Sequence, residues 1–313
     1  MPVTATRPRL GFLGLGWIGR SRLEAIATAD AADVGAIADP VVPHALDSLD
    51  ALLEQELDGI VIATPSALHA EQAIAALERG LAVFCQKPLA LDARSAQSVV
   101  DAAAAADRLL AVDFCYRFTE AARSVKALVD AGELGDVYAV DLVFHNAYGP
   151  DKPWTGDPAL SGGGCVIDLG IHLVDLTLWM LGFPEVRRVT GILHGEPLED
   201  HATAQLELET GAAVGLACSW RLHAGRDCVF EASFYGTRGG ASIHNVAGSF
   251  YDFGAERYDG TQTRRMVDPP DEWGGRAAVD WARRLGAGER FDPAVRENVR
   301  VHEVLDRIYG RTQ

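Results

Sequence analysis

The stretch from Arg9 to Gly19 reads Arg-Leu-Gly-Phe-Leu-Gly-Leu-Gly-Trp-Ile-Gly. A short apolar run meets three glycines in the spacing Gly-x-Gly-x-x-Gly, at Gly14, Gly16 and Gly19. From Ile18 to Ala29 the apolar residues recur at helical spacing. The pattern therefore predicts a strand, a glycine turn and a helix in direct succession.

This order of elements is typical of a dinucleotide-binding fingerprint. The first glycine permits the tight turn, the second lets the backbone approach a pyrophosphate, and the third allows close packing of the helix. The helix N-terminus, with Trp17 and Ile18, would face the anion. Asp39 follows twenty residues after Gly19, where a carboxylate can accept hydrogen bonds from a ribose 2′-hydroxyl and repels a 2′-phosphate. The fingerprint predicts NAD as the preferred cofactor.

Strands and helices go on alternating after this turn, which indicates a parallel sheet covered on both faces. The predicted strands are Val34–Ala38, Gly59–Ala63, Ala82–Cys85 and Leu109–Phe114, and the predicted helices are Ala45–Glu56, Ala67–Arg79 and Asp92–Asp107. We therefore expect an α/β fold that begins with a Rossmann dinucleotide-binding domain over residues 1–117.

The pattern changes after Cys115, and residues 118–313 are predicted to form a substrate-binding and oligomerisation α+β domain with an open, mostly antiparallel sheet. The predicted strands are Asp136–His145, Val186–Leu193, Ala202–Leu208, Ala213–Ser219, Asp227–Phe234 and Ala241–His244. The predicted helices are Thr119–Ala131, an amphipathic helix at Asp168–Leu181, and a last one at Pro293–Tyr309. That last helix, 293–309, could pack back towards the first domain.

Charge and composition exclude several classes of partner. The formal net charge of −16, with no compact Lys/Arg stripe, makes nucleic acid a poor partner. No apolar run approaches the roughly 20 residues of a membrane span, and we find no export signal. Five scattered cysteines without Cys-x-x-Cys spacing indicate buried thiols, and hence a cytoplasmic protein.

Several further motifs follow the glycine turn along the chain. They are Ala63-Thr64-Pro65-Ser66-Ala67-Leu68-His69, Gln86-Lys87-Pro88, Tyr116-Arg117-Phe118, and Gly162-Gly163-Gly164 followed by Asp168-Leu169-Gly170-Ile171-His172, Asp175 and Trp179. With the glycine turn, they resemble the glucose-fructose oxidoreductase, inositol dehydrogenase and MocA-like (GFO/IDH/MocA) family of NAD(P)-dependent oxidoreductases. The resemblance runs over almost the whole chain.

The resemblance implies roles for these motifs in a site between the two domains. Lys87 would lie beside the reacting carbon, and Asp168 and His172 would face the nicotinamide. Further contacts to the cofactor are expected from Thr64, Pro65, Ser66, His69, Gln86 and Lys87, and to the substrate from Lys87, Arg117, Trp154, Asp168 and His172. The resemblance also implies a homodimer or homotetramer built through the C-terminal sheet.

The residues by themselves leave alternatives. Asp168 and His172 are four apart, so on a helix they share one face, and histidine suits proton transfer near neutral pH. They could equally be a capping or surface pair. Lys87 follows a buried strand at the carboxyl edge of a parallel sheet, where ligands bind, although it could be a solvated loop lysine. A metal would need a third ligand, and the spacing offers none, so we predict none.

Two departures from the family pattern stand out. Gln86 replaces the usual glutamate, which removes a negative charge next to Lys87. Between Asp39 and Ser48, where relatives insert a helix, this chain has only a short stretch, Pro40–His44, before the next helix. The adenosine edge would then be more open, and NADP stays possible.

The sequence thus predicts a dehydrogenase or reductase that transfers hydride between a nicotinamide cofactor and a secondary hydroxyl or ketone of a sugar, cyclitol or related polyol. Two alternatives remain open. One is an NAD-dependent glycoside hydrolase that acts by transient oxidation. The other is a non-catalytic protein that senses a dinucleotide and binds a partner.

Overall fold

The computed structural model describes residues 7–311. Its strands are β1 (Arg9–Leu13), β2 (Asp33–Ala38), β3 (Gly59–Ile62), β4 (Ala82–Cys85), β5 (Leu110–Val112), β6 (Val137–Asn146), β7 (Val186–His194), β8 (His201–Leu208), β9 (Ala213–Ser219), β10 (Cys228–Gly236), β11 (Gly240–Asn245), β12 (Phe253–Asp259) and β13 (Gln262–Val267). Its α-helices are α1 (Trp17–Thr28), α2 (Leu49–Leu53), α3 (His69–Glu78), α4 (Ala93–Ala106), α5 (Glu120–Asp130), α6 (Pro158–Ser161), α7 (Ile171–Met180), α8 (Arg276–Gly286) and α9 (Glu297–Ile308).

The chain forms two compact units. Unit 1 consists of Met1–Cys115 and Gly274–Arg300, and unit 2 consists of Tyr116–Trp273 and Val301–Gln313. The first division lies two residues before the predicted one at 117. The sequence analysis had placed 118–313 in one domain, whereas Gly274–Arg300 packs with unit 1.

Unit 1 has a five-stranded parallel sheet in the order β2-β1-β3-β4-β5, which confirms the predicted Rossmann fold. Its central strands are short and fully buried, as expected where helices cover both faces. Helix α8, which the sequence analysis did not predict, belongs to this covering. The Trp281 ring lies 5.6 Å from that of Phe84 on β4. A Cβ at Gly59 would come within 3.0 Å of Trp281, so the glycine lets α8 pack closely on β3.

The predicted helix Ala45–Glu56 is wrong at both ends, because α2 begins only at Leu49 and ends at Leu53. Its N-cap is Ser48, whose hydroxyl accepts a hydrogen bond from the Ala51 N–H at 3.3 Å. Leu46 instead pairs with β2, since its N–H donates to the Ile37 carbonyl at 2.8 Å and its carbonyl accepts from the Asp39 N–H at 3.0 Å. The shortened segment therefore closes as a tight loop against β2.

Unit 2 contains an eight-stranded sheet in the order β13-β12-β11-β10-β6-β9-β8-β7. All neighbours are antiparallel except β6 and β9, which confirms the predicted open, mostly antiparallel sheet. Strands β12 and β13 were not predicted. β13 is mostly exposed and carries Arg264 and Arg265, so it lacks the apolar alternation by which half-buried strands are found.

The predicted amphipathic helix Asp168–Leu181 is wrong in two respects. It starts with a π-helical turn, Val166–Gly170, and α7 is then buried on nearly every side. The stretch Pro158–Met180 is long and apolar enough to cross a membrane, by length and composition only. However, 78% of its most apolar window is buried inside the protein, as is typical of a core helix.

Candidate active site

The carboxyl edge of the sheet in unit 1 collects most of the predicted site residues of that unit. Because the strands are parallel, the segments that follow them emerge at the same edge. These segments are the glycine turn after β1, Asp39 after β2, Thr64–His69 after β3, Gln86 and Lys87 after β4, and Asp113 after β5. The strand order reverses between β1 and β3, and ligands of such sheets bind at this switch point.

The three glycines of the turn have different surroundings. Gly14 has a φ of +85°, and a Cβ there would lie 2.7 Å from the Ala63 carbonyl oxygen. A Cβ at Gly19 would lie well inside van der Waals contact with the Gly14 carbonyl oxygen. A Cβ at Gly16 would meet no atom within 4 Å, and no side chain caps the N-terminus of α1. An uncapped helix N-terminus with open space at Gly16 fits a pyrophosphate.

Asp39 lies beside this turn, and backbone donors hold its carboxylate. The Leu15 N–H donates to Oδ2 at 2.7 Å, and the N–H groups of Val41 and Val42 donate to Oδ1 at 2.8 and 3.2 Å. Burial raises the pKa of Asp39, but these donors outweigh it and leave the pKa below its ordinary value. The carboxylate is thus kept charged and in place. It fits a ribose with free hydroxyls and would repel a 2′-phosphate.

His69 connects the loops that follow β3 and β4. Its Nε2 lies 2.9 Å from the Thr64 carbonyl and its Nδ1 lies 2.7 Å from the Pro88 carbonyl. The ring is 1% exposed, and burial lowers the pKa of His69 although the two carbonyls act in the opposite direction. Both ring nitrogens are thus turned to the protein. The structure gives His69 the task of holding the two loops together.

Three neighbours of His69 at this edge, Thr64, Pro65 and Lys87, are less buried than the histidine. The Thr64 hydroxyl donates to Gln72 Oε1 at 2.6 Å and keeps its acceptor capacity. Pro65 and Lys87 are half-buried, whereas Ser66 is buried. Thr64, Pro65 and Lys87 therefore have the exposure that contact with a cofactor requires.

Gln86 is buried, and the carboxylate of Asp113 is its partner. The side-chain amide of Gln86 donates to Asp113 Oδ2, and Arg22 Nε donates to the same oxygen at 2.6 Å. The sequence analysis missed both Arg22 and Asp113. A signal was present, because Asp113 is a charged residue inside the apolar run Leu109–Phe114.

Asp168 and His172 lie on consecutive helical turns of unit 2. Asp168 is on the π-helical turn, and the Trp220 indole N–H donates to its Oδ2 at 3.0 Å. His172 is in the first turn of α7 and is 7% exposed. Its ring meets the Tyr116 ring edge to face, with the centroids 4.8 Å apart. Tyr116 in turn packs among Phe144, Phe230, Phe253 and Trp273. The histidine is therefore held on a rigid aromatic support.

The Arg117 guanidinium pairs with Asp175, the residue one turn beyond His172. Its Nε donates to Asp175 Oδ2 at 2.9 Å, its Nη2 donates to Oδ1, and it also lies 5.4 Å from the Phe183 ring centroid. Burial raises the pKa of Asp175, and the Arg117 charge offsets part of that rise. Arg117 thus orients α7. Trp154 is half-buried on the short turn Pro153–Gly156, with Lys152 Nζ 5.8 Å from its ring.

Glu199 holds the turn that carries Asp168. Its Oε1 accepts from the N–H groups of Gly164 at 2.8 Å and Val166 at 3.0 Å, and from the Tyr309 hydroxyl at 2.6 Å. The Glu199 backbone carbonyl accepts from the Cys165 N–H at 2.9 Å. Sequence reasoning missed Glu199, whose contacts are 33 residues or more away along the chain.

Within residues 7–311, no group of three or more His, Cys, Asp or Glu side chains is placed to hold a metal ion. Burial raises the pKa of Cys115, whose thiol lies within the electrostatic range of Arg22, Asp113 and Lys87, to about 12.

Comparison with known proteins gives matches over both units. Residues 8–114 match the model of an oxidoreductase family with an NAD-binding Rossmann fold, and residues 122–242 match the GFO/IDH/MocA C-terminal domain. D-xylose 1-dehydrogenase (NADP(+)) 2 of Haloferax volcanii is 31% identical over 91% of this chain and 88% of that protein. D-glucoside 3-dehydrogenase of Escherichia coli K12 is 29% identical over 61% of this chain, and the match spans only 60% of that protein.

A solved structure is similar over nearly the full length. GenD2 from gentamicin A biosynthesis, in complex with NAD, has a TM-score of 0.83 and is 25% identical, covering 97% of this chain and 94% of that one.

Proposed function

Since the chain belongs to the GFO/IDH/MocA family of oxidoreductases, we propose that it transfers hydride between NAD and a secondary hydroxyl or ketone of a sugar, cyclitol or related polyol. The observation that carries the proposal is the glycine turn, where Gly16 and the uncapped N-terminus of α1 leave space for a pyrophosphate. Asp39 favours NAD because its carboxylate would repel a 2′-phosphate. The xylose dehydrogenase relative uses NADP(+) according to its name, so both cofactors belong in the test.

The nicotinamide, when bound, supplies the acceptor or donor of hydride. In the proposed reaction, His172 removes the proton of the substrate hydroxyl and Lys87 donates a hydrogen bond to the same oxygen. Asp168 orients the pair. The edge contact of Tyr116 fixes the plane of the His172 ring, and Trp220 fixes Asp168. Groups held in this way lose little freedom when a substrate binds, which favours proton transfer.

The test is a turnover assay at 340 nm with NAD⁺ and NADP⁺ against a panel of sugars and cyclitols. We expect turnover with at least one of them, and a loss of about 100-fold or more in kcat for His172→Ala and Lys87→Met, because general acid–base groups contribute about 10²–10⁴. His194→Ala, at a highly exposed histidine of β7, is the matched control and should keep wild-type turnover. Wild-type protein without nicotinamide-linked turnover on the whole panel would refute the proposal.

The same assay separates the two alternatives. Glycoside cleavage without net NADH formation would identify the transient-oxidation hydrolase. NAD binding without any turnover, together with a stable complex with another protein, would identify the sensor. The feature that favours the sensor is Gln86, which stands where the family usually has a glutamate. The contact of Gln86 with Asp113 supplies a structural reason for that residue within a working site.

We also propose that two or four copies associate through the outer face of the unit 2 sheet, and that the protein works in the cytoplasm. The support for association is a groove of about 470 Å³ on that sheet, lined by residues of β6, β7, β8 and β9, with Ile192 71% exposed at its border. Light scattering should give the mass of a dimer or tetramer, and Ile192→Asp should lower it.

A further inference from the structure

A buried carboxylate, Asp113, lies at the same edge as Lys87 and has no part in the proposed reaction. It directly follows β5 and is 1% exposed. Its N–H donates to the Cys85 carbonyl at 2.9 Å, one residue before Gln86. The position of the carboxylate is therefore fixed by the sheet itself.

One carboxylate oxygen of Asp113 contacts two segments at the carboxyl edge of the unit 1 sheet. Oδ2 accepts from Arg22 Nε at 2.6 Å and from the side-chain amide of Gln86. Arg22 is on α1, the helix that starts at the glycine turn, and it also donates to the Gly274 carbonyl. Burial lowers the pKa of Arg22, but Asp113 and Cys115 together outweigh burial and leave the pKa above its ordinary value. Asp113 thus ties the helix of the cofactor turn to the loop that carries Lys87.

This contact fixes which way the Gln86 amide points. A carboxylate only accepts hydrogen bonds, so the NH₂ of Gln86 must face Asp113 and Oε1 must lie on the other branch of the planar amide. The flipped amide would place oxygen against oxygen. A glutamate at position 86 would do the same with a full charge. Glutamine at position 86 therefore meets Asp113 with a donor, which a charged glutamate could not do.

Two further observations point to a role beyond stability. A buried ion pair such as Arg22–Asp113 seldom adds stability over apolar residues of the same size. The other oxygen, Asp113 Oδ1, is buried without a hydrogen-bond partner among residues 7–311. Orphaned buried acceptors are rare in folded proteins, and a functional role or a bound water is among the explanations for one.

We propose that Asp113 is a positioning residue, which holds the Gln86 amide so that Oε1 accepts a hydrogen bond from a hydroxyl of the bound dinucleotide or of the substrate. The inference rests on the proposed function, because it concerns the same edge. Asp113 acts through Gln86 and does not itself touch the reacting atoms. Where the family usually has a glutamate, this chain thus has the amide of Gln86, and Asp113 fixes the direction of that amide.

The test compares four proteins: wild type, Asp113→Asn, Gln86→Glu and the double variant that exchanges carboxylate and amide. NADH affinity is measured by fluorescence from pH 6 to 9. We expect Asp113→Asn to bind about fivefold to tenfold more weakly, as for one lost hydrogen bond. Gln86→Glu puts two carboxylates in contact, so one must take up a proton and the affinity should fall as pH rises.

The double variant restores one carboxylate and one amide, with their positions reversed. It should recover affinity to within about threefold of wild type, without the pH dependence, because one acceptor again faces one donor. Gln86→Met removes the acceptor while Arg22 and Asp113 keep their ion pair, and it should match the loss in Asp113→Asn. Asp101→Asn, at an exposed residue of α4, is the control with unchanged affinity.

The outcomes separate this inference from the proposed function. If NADH affinity holds but the KM of the hydroxyl substrate rises in Asp113→Asn, the bonded hydroxyl belongs to the substrate, and the inference stands. If wild type binds NADH and turns over, while Asp113→Asn and Gln86→Glu match it in affinity, KM and pH profile, the inference is overturned alone. A wild-type protein that binds neither NADH nor NADPH would overturn both.

Discussion

Replacing Gly16 with alanine should weaken dinucleotide binding strongly while leaving the fold intact. The new Cβ meets no protein atom within 4 Å. The backbone of Gly16, with φ −61° and ψ −175°, is open to any L residue. An added methyl group therefore collides with no atom of the protein. It fills the space through which a pyrophosphate would approach the N–H groups of α1.

The size of the effect follows from the bonds at stake. One lost charge-assisted hydrogen bond to phosphate costs about 1.5–3 kcal/mol, which is about 10- to 100-fold in affinity. Alanine in place of glycine as N-cap costs at most about 1 kcal/mol of stability, and hence no more than about 4 °C in Tm for units of this size. Affinity and stability should therefore separate clearly.

Gly19→Ala is the contrasting variant. Its Cβ would collide with the Gly14 carbonyl oxygen, which is backbone and cannot rotate away. Overpacking of this kind costs about 1–3 kcal/mol, so Gly19→Ala should lose both stability and affinity. NADH fluorescence titration and thermal unfolding on both variants make the comparison. The reasoning is refuted if Gly16→Ala binds NADH within twofold of wild type, or if it unfolds as early as Gly19→Ala.

Two more predictions concern the supports of the site. Glu199→Ala leaves the N–H groups of Gly164 and Val166 without their acceptor, so we expect a loss of roughly 2–6 kcal/mol in the free energy of unfolding by urea and a lower kcat. The control Glu207→Ala, at an exposed ion pair, should change the free energy of unfolding by less than about 1 kcal/mol. Equal losses in both variants would contradict the role of Glu199 in holding the turn that carries Asp168. Folding lowers the pKa of His69, so below about pH 6.5 the unfolded state binds more protons than the folded state. Stability should therefore fall as the pH drops below about 6.5, by at most about 1.4 kcal/mol per pH unit. His69→Gln should flatten this slope between pH 7 and 5, and an unchanged slope would contradict the prediction.

The parts of the fold that depend on local sequence pattern could be predicted from the sequence. The glycine turn, the alternation of strands and helices in unit 1 and the antiparallel sheet of unit 2 all follow from periodicity and turn residues within short windows. Strand β13 does not, because it is mostly exposed and carries Arg264 and Arg265. Helix α8 does carry a local signal, since its buried residues Ala277, Ala278, Trp281 and Ala282 lie on one face. Its place against the sheet of unit 1 depends on packing partners far away in the chain.

The residues of the site likewise divide into those that belong to a local motif and those that do not. Gly14, Asp39, Lys87 and His172 could be picked out because each belongs to a motif of a few residues. Asp113 could not be assigned a role, since its partner Arg22 lies 91 residues away. No spacing rule connects residues so far apart. Local motifs therefore identify the groups that meet a ligand, whereas the groups that hold them become visible only in three dimensions.

The glycines before Asp168 show how such distant supports shape a motif. A Cβ at Gly163 would collide with the Tyr309 hydroxyl, and one at Gly164 with the Glu199 carbonyl oxygen. These glycines therefore give room to the two residues that bind the N–H groups of Gly164, Cys165, Val166 and Ile167. At Gly16 the missing side chain leaves space for a ligand, whereas here it leaves space for the protein's own acceptors. The same residue type thus serves binding in unit 1 and the positioning of Asp168 in unit 2.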